Sequence, residues 1–108
     1  KGSWGSNPQW SINVPKEDTK LQLKCAAMKE LAINVVLVRT TRRRVHHLYE
    51  EPLIDTGCYR HGFTMSDVIT VPAGMYSVIA STYRVGEVGS FVLSVLSSST
   101  EIEISEIM

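Results

Sequence analysis

Apolar side chains recur at every second position over several short stretches of this chain, the period of a strand with one face buried. Trp10, Ile12 and Val14 alternate with Gln9, Ser11 and Asn13, and Pro15 ends the run. Tyr76, Val78, Ala80 and Thr82 form one face of a longer stretch, and Phe91, Leu93 and Val95 form another. In the last stretch Ile102 and Ile104 read as inward, with Glu101 and Glu103 outward. Ile33-Asn-Val-Val-Leu-Val38 differs, because it is β-branched and almost continuously apolar, and this predicts a central strand covered on both faces. Gly57 to Met65 and Asp67 to Val71 predict two short strands. Pro72-Ala-Gly74 and Arg84 to Gly89 predict turns. Seven or eight short strands at this spacing predict an all-β fold, an antiparallel sandwich.

Two stretches resist the pattern. From Lys20 to Ala32, Leu21, Leu23 and Cys25 alternate as in a strand, yet Leu21, Cys25, Met28 and Ala32 also share a helical face. Good helix formers fill the segment, and Pro15, Glu17 and Asp18 suit a helix start, so periodicity leaves both readings open. Arg39 to Thr56 holds a basic run, a His pair, an acidic pair and Pro52; it predicts a long connection with one edge strand near Val45 to Tyr49.

The chain has 108 residues, 44% of them hydrophobic, which suits a single domain with one core. Residues 1 to 6 are rich in Gly and Ser and read as a linker or an expression remnant, with the domain running from 7 to 108. Starting on Lys1 rather than Met, the chain reads as an excised fragment. Eleven basic and eleven acidic side chains cancel, so any attraction to an anionic partner must be local. No apolar run approaches the roughly eighteen residues of a membrane span, and no signal peptide is present. Cys25 and Cys58 are too few for a disulfide scaffold and match no zinc spacing; they read as reduced thiols of an intracellular protein.

Asn7-Pro-Gln-Trp10 opens the domain, and Tyr76, Val78-Ile79 and Ser81-Thr-Tyr83 precede Gly89-x-Phe91-x-Leu93-x-Val95-x-Ser97. This spaced set, with the apolar strand at Ile33 to Val38 between, resembles the calpain family of cysteine proteases, in the C2-like β-sandwich called domain III. The likeness covers Asn7 to about Ser98. Gly74 suits a turn closed to other residues, Tyr76 and Phe91 suit a core between sheets, and Ser81 and Thr82 can bond backbone at a strand end. By the same resemblance Leu21 to Cys25 becomes a strand. It implies a non-catalytic regulatory or docking module whose parent cleaves proteins with a Cys-His-Asn triad housed elsewhere in the polypeptide. The expected contacts are other domains of that parent or a protein partner, in the cytoplasm with the nucleus also open.

Departures from the family pattern shape the expected site. Where conventional calpains carry a long acidic loop after the first strand, this chain has Pro15-Lys-Glu-Asp-Thr19, leaving Glu17 and Asp18 as its remnant. Calcium takes about six to eight oxygen ligands, and with Asp18, Asp55 and Asp67 as the chain's aspartates no calcium site and no cofactor is expected. The short loop resembles the atypical calpains, among which the calpain-7 type and its fungal relatives carry two such sandwiches in tandem; the chain fits the distal one.

Cys25, Cys58, His46, His47 and His61 include the residue types of a thiol protease, but neither Cys sits in a recognisable active-site motif, so no catalytic residue is expected. Cys58-x-x-His61 with His46 or His47 has the residue types of a zinc site, although a His pair in a polar loop is ordinarily solvated, and no metal is expected. Arg39, Arg42, Arg43 and Arg44 form the strongest charge cluster and are the expected docking residues. They suit an acidic protein face or, alternatively, an anionic membrane, where each basic side chain adds about 1 kcal/mol. They also suit a solvated loop onto which Glu50 and Glu51 fold back. Nucleic acid is not expected, since only Tyr49 offers an aromatic ring among them.

Overall fold

The computed structural model describes residues 7–39, 51–83 and 90–107. They form ten strands and no helix: β1 (Gln9–Val14), β2 (Thr19–Ala26), β3 (Ala32–Arg39), β4 (Ile54–Asp55), β5 (Arg60–His61), β6 (Phe63–Met65), β7 (Ile69–Val71), β8 (Gly74–Thr82), β9 (Val92–Ser97) and β10 (Glu103–Ile107). Six strands of five residues or more carry the architecture. The other four have two or three residues and raise the number above the seven or eight expected.

All pairings are antiparallel and make two sheets. The larger runs β10-β1-β8-β3-β4, with β5 also on β3. The smaller is centred on β2, with β9 along one edge and β6 and β7 along the other. The core lies between the sheets. Ile12, Val14, Ile33, Val35, Leu37, Tyr76, Val78 and Ala80 enter it from the larger sheet, and Leu21, Leu23, Cys25 and Val71 from the smaller.

The ambiguous Lys20–Ala32 stretch is strand β2 through Ala26, because its alternation places Leu21, Leu23 and Cys25 in the core with Lys20 and Lys24 turned away. Helical propensity is worth tenths of a kcal/mol per residue and yields to three fully buried side chains. The predicted strand over Gly57 to Met65 is instead split into β5 and β6 at Gly62, whose φ is 76°. A Cβ there would sit 3.0 Å from the Lys29 backbone, so the close approach that ties Gly62 N–H to the Leu31 carbonyl and its carbonyl to Ala27 N–H requires glycine.

β3 is buried over six consecutive residues, as its unbroken apolar run predicts. β8 is also buried on both faces, which its simple alternation did not show. Ile79 on its outer face meets Val36 and Val38 in a second small cluster, and Gln9 of β1, opposite Ile79, is buried with them. Ile102, just before β10, packs against the core, whereas Ile104, opposite Ile12 on this edge strand, remains 44% exposed. The expected strand at Val45–Tyr49 and the turn at Arg84–Gly89 lie outside the described residues.

Candidate functional site

One end of the sandwich holds Arg39, of the basic candidates, and Glu17, of the acidic ones, around Tyr76. β3 ends at Arg39, opposite Tyr76 of β8, and its guanidinium carbon lies 5.9 Å from the Tyr76 ring centroid. Tyr76 is fully buried and its hydroxyl donates to the Pro72 carbonyl, which locks the turn leading into β8. Burial raises the Tyr76 phenol above its ordinary value; the Arg39 charge opposes this and Glu17 adds to it. Glu17 in turn accepts a hydrogen bond from Ala73 N–H at 3.1 Å. Arg39 and Glu17, 22 positions apart in the chain by their numbers, therefore act on one tyrosine.

The β1–β2 turn is built to present this end. Asp18 takes the left-handed conformation at φ 55°, which aspartate tolerates, and Thr19 Oγ1 donates to the Lys16 carbonyl at 2.7 Å. Lys16 pairs with Glu101 at 2.6 Å across the gap to the segment before β10. Glu17 is thus a turn anchor as well as a surface acid, whereas Asp18 shapes the turn. Arg42, Arg43 and Arg44 lie outside the described residues.

The thiol and imidazole candidates separate. Cys25 is a core residue of β2, and burial pushes its thiol up to about 11, which keeps it protonated and unreactive near neutrality. Cys58 is exposed between β4 and β5. His61 lies exposed on β5 with Nδ1 3.2 Å from the Lys29 carbonyl, and His46 and His47 lie outside the described residues. Among the described residues, no three His, Cys, Asp or Glu side chains gather to hold a metal ion.

Two features were not apparent in the residue pattern. Asn34, nearly buried on the outer face of β3, donates to Asp55 Oδ1 at 2.9 Å and to the Gly57 carbonyl at 2.8 Å, while Gly57 N–H returns to Asp55 Oδ1 at 2.8 Å. Beside it Tyr59 meets Ser81 Oγ at 2.9 Å and packs edge-on against Tyr83 with centroids 5.7 Å apart. Ser81 therefore bonds a tyrosine side chain rather than strand-end backbone. The isolated Asn inside an apolar run was the available signal.

The second feature is the outer face of the smaller sheet, where Phe63, Met65, Val92 and Leu96 are between 44% and 64% exposed. Its signal was the presence of apolar side chains at both parities of Val92-Leu-Ser-Val-Leu96 and at Phe63 and Met65.

No family profile matches the chain. It is similar to two fungal proteins described as calpain-like protease palB/RIM13. The one from Aspergillus oryzae is 31% identical over 93 residues, 84% of this chain and 11% of that protein. The one from Cryptococcus neoformans is 28% identical over 94 residues, 82% of this chain and 12% of that protein. The chain thus spans about a ninth of the length of the curated relatives it matches.

Proposed function

The chain belongs to the calpain family, and on that premise we propose that it is a non-catalytic regulatory and docking module of a cysteine endopeptidase. The observation that carries this reading is what the matched ninth of a calpain-like protease builds. It is an antiparallel sandwich whose core contains the buried thiol, Cys25, in a protonated state unsuited to nucleophilic attack. In this reading the protease chemistry resides in other parts of the polypeptide. Arg39 at the end of β3, with Arg42, Arg43 and Arg44 following it in sequence, offers positive charge to an acidic surface of a neighbouring domain or protein partner. Glu17 orients the opposite turn. The module is assigned to the cell interior, with no cofactor, calcium ion or nucleic acid required for its role.

The test reverses charge in the full-length protease with Arg42→Glu/Arg44→Glu and separately Arg39→Glu, and follows cleavage of a protein substrate together with thermal stability. A change in turnover at unchanged melting temperature supports docking. Unchanged turnover in both variants removes it, and substrate cleavage by the 108-residue chain alone would show that the module is itself an enzyme.

A further inference from the structure

The smaller sheet turns a face to solvent that is composed unlike the rest of the surface. Along β2, Lys20, Gln22, Lys24 and Ala26 point away from the core, since Leu21, Leu23 and Cys25 point into it. Directly opposite residues of an antiparallel pair share a face. Phe63 and Val92 therefore flank Ala26 on its two sides, Met65 and Ser94 flank Lys24, and Leu96 lies beside Gln22. Phe63 is 49% exposed, Met65 47%, Val92 64% and Leu96 44%. Gln22 is held in place by a 3.0 Å bond from Nε2 to the Ser66 carbonyl. The strands of this sheet contain two lysines and no carboxylate, whereas β10 of the other sheet contains Glu103 and Glu106.

We infer that this face, centred on Lys24 with Phe63, Met65, Val92 and Leu96 around it, is the surface on which a folded protein domain docks, presenting an apolar patch with a carboxylate opposite Lys24. The inference rests on the reading of the chain as a docking module and adds to its arginine end a second contact surface, on the smaller sheet. The exposed apolar area of the four side chains is on the order of 400 Å², comparable to the largest patch on a typical monomer. It is about half of what one partner contributes to a standard interface, so the occupant covers the lysines as well.

Charge and shape select the occupant. A second copy of the chain in two-fold contact would set this face against itself, and since its strands hold lysines and no carboxylate, Lys24 would find no opposite charge there. A bilayer would have to accept Lys24, Gln22 and Ser94 between the apolar side chains, because a sheet face is broad and cannot insert the apolar residues alone. A protein surface can supply a carboxylate at the centre and apolar contacts around it. In the matched relatives about nine-tenths of the polypeptide lies outside the segment like this one, which provides such surfaces in the same molecule.

The test compares maleimide labelling of the chain alone with that of the full-length polypeptide, in a Cys58→Ser background, for Val92→Cys and for Ser105→Cys on the larger sheet. Docking on this face slows labelling at Val92→Cys by about tenfold or more in the full-length protein and leaves Ser105→Cys unchanged. Adding Lys24→Glu returns the Val92→Cys rate toward that of the chain alone. Equal rates at Val92→Cys overturn the assignment. Slowing at Ser105→Cys instead would keep the docking reading and move its surface, and slowing at neither position would remove this surface while the docking reading stands or falls by the charge reversals at the arginine end. In the chain alone, slowing that grows with its concentration would assign the face to a second copy, and slowing by phosphatidylserine vesicles would assign it to a membrane; either overturns the protein partner.

Discussion

The larger sheet is buried on both faces along β3 and β8, whereas the smaller sheet has only one face buried. On the outer side of the larger sheet, Val36, Val38 and Ile79 are 8% exposed or less, and the polar groups beside them, Asn34, Ser77 and Ser81, are buried as well. On the outer side of the smaller sheet, apolar residues remain about half exposed around a lysine. The same chemistry, apolar side chains on the outer face of an antiparallel sheet, is thus completed in one place and left open in the other. An apolar residue on a covered face stabilises the fold, and one on an open face is available for another surface.

Substitutions separate the two faces most sharply. Ile79→Ala on the covered face is expected to cost about 3 kcal/mol in urea unfolding, since it removes three methyl or methylene groups from a fully buried site. Leu96→Ala on the open face of the smaller sheet is expected to cost less than about 1 kcal/mol. Equal losses would mean that the outer face of the smaller sheet is covered too.

The core between the sheets has its own probe in pH. Cys25 has a folded-state pKa of about 11 against an ordinary 9.0, so the unfolded chain loses its proton first as pH rises. Stability is therefore full below about pH 9 and falls as pH climbs toward 11, by at most about 2–3 kcal/mol. Cys25→Ala flattens that stretch of the pH profile, measured by urea midpoints, while Cys58→Ala leaves it as it is; an unflattened Cys25→Ala profile contradicts this assignment.

A gain is expected at Thr64, which is fully buried opposite Cys25 with its hydroxyl unpartnered among the described residues. Thr64→Val keeps the shape and removes the unpaired group, raising stability by about 1 kcal/mol. A loss of stability instead would show that the hydroxyl has a partner. The smallest effect belongs to Lys16 and Glu101, whose side chains are 62% and 56% exposed: breaking their pair with Lys16→Ala is expected to change the unfolding midpoint by less than about 0.5 kcal/mol. A larger change would make that contact part of how β10 is held.

Much of the sandwich was legible because strand alternation has a strict period. Trp10-x-Ile12-x-Val14 lies in β1 and Leu93-x-Val95 in β9 with those residues against the core, Phe91 packs against it just before β9, and the unbroken run of β3 is buried on both faces. β2 was not legible from periodicity alone, since Leu21 and Cys25 fit either period, and its pairing with β7, β6 and β9 makes it a strand. Gly62 falls inside the strand predicted over Gly57 to Met65, and its role depends on Lys29 lying against it in space.

For the candidate site, Arg39 was chosen for charge, and Glu17 and Asp18 as the remnant of an acidic loop that the family resemblance implies. Nothing in their spacing brings Arg39 and Glu17 to one tyrosine, because that depends on β3 and β8 being neighbours and on the Pro72 turn folding toward the β1–β2 turn.

What the sequence determined by itself is the period-two pattern, the all-β class and the residue types of one charged end, all of which are local properties carried by neighbouring side chains. Only the tertiary structure decided which apolar faces are covered, that Cys25 is held as a thiol while Cys58 is exposed, and that Lys24 stands among exposed apolar side chains. Burial is a property of what lies opposite a residue across the sheets, and strand order, set by contacts far apart in the chain, places those neighbours.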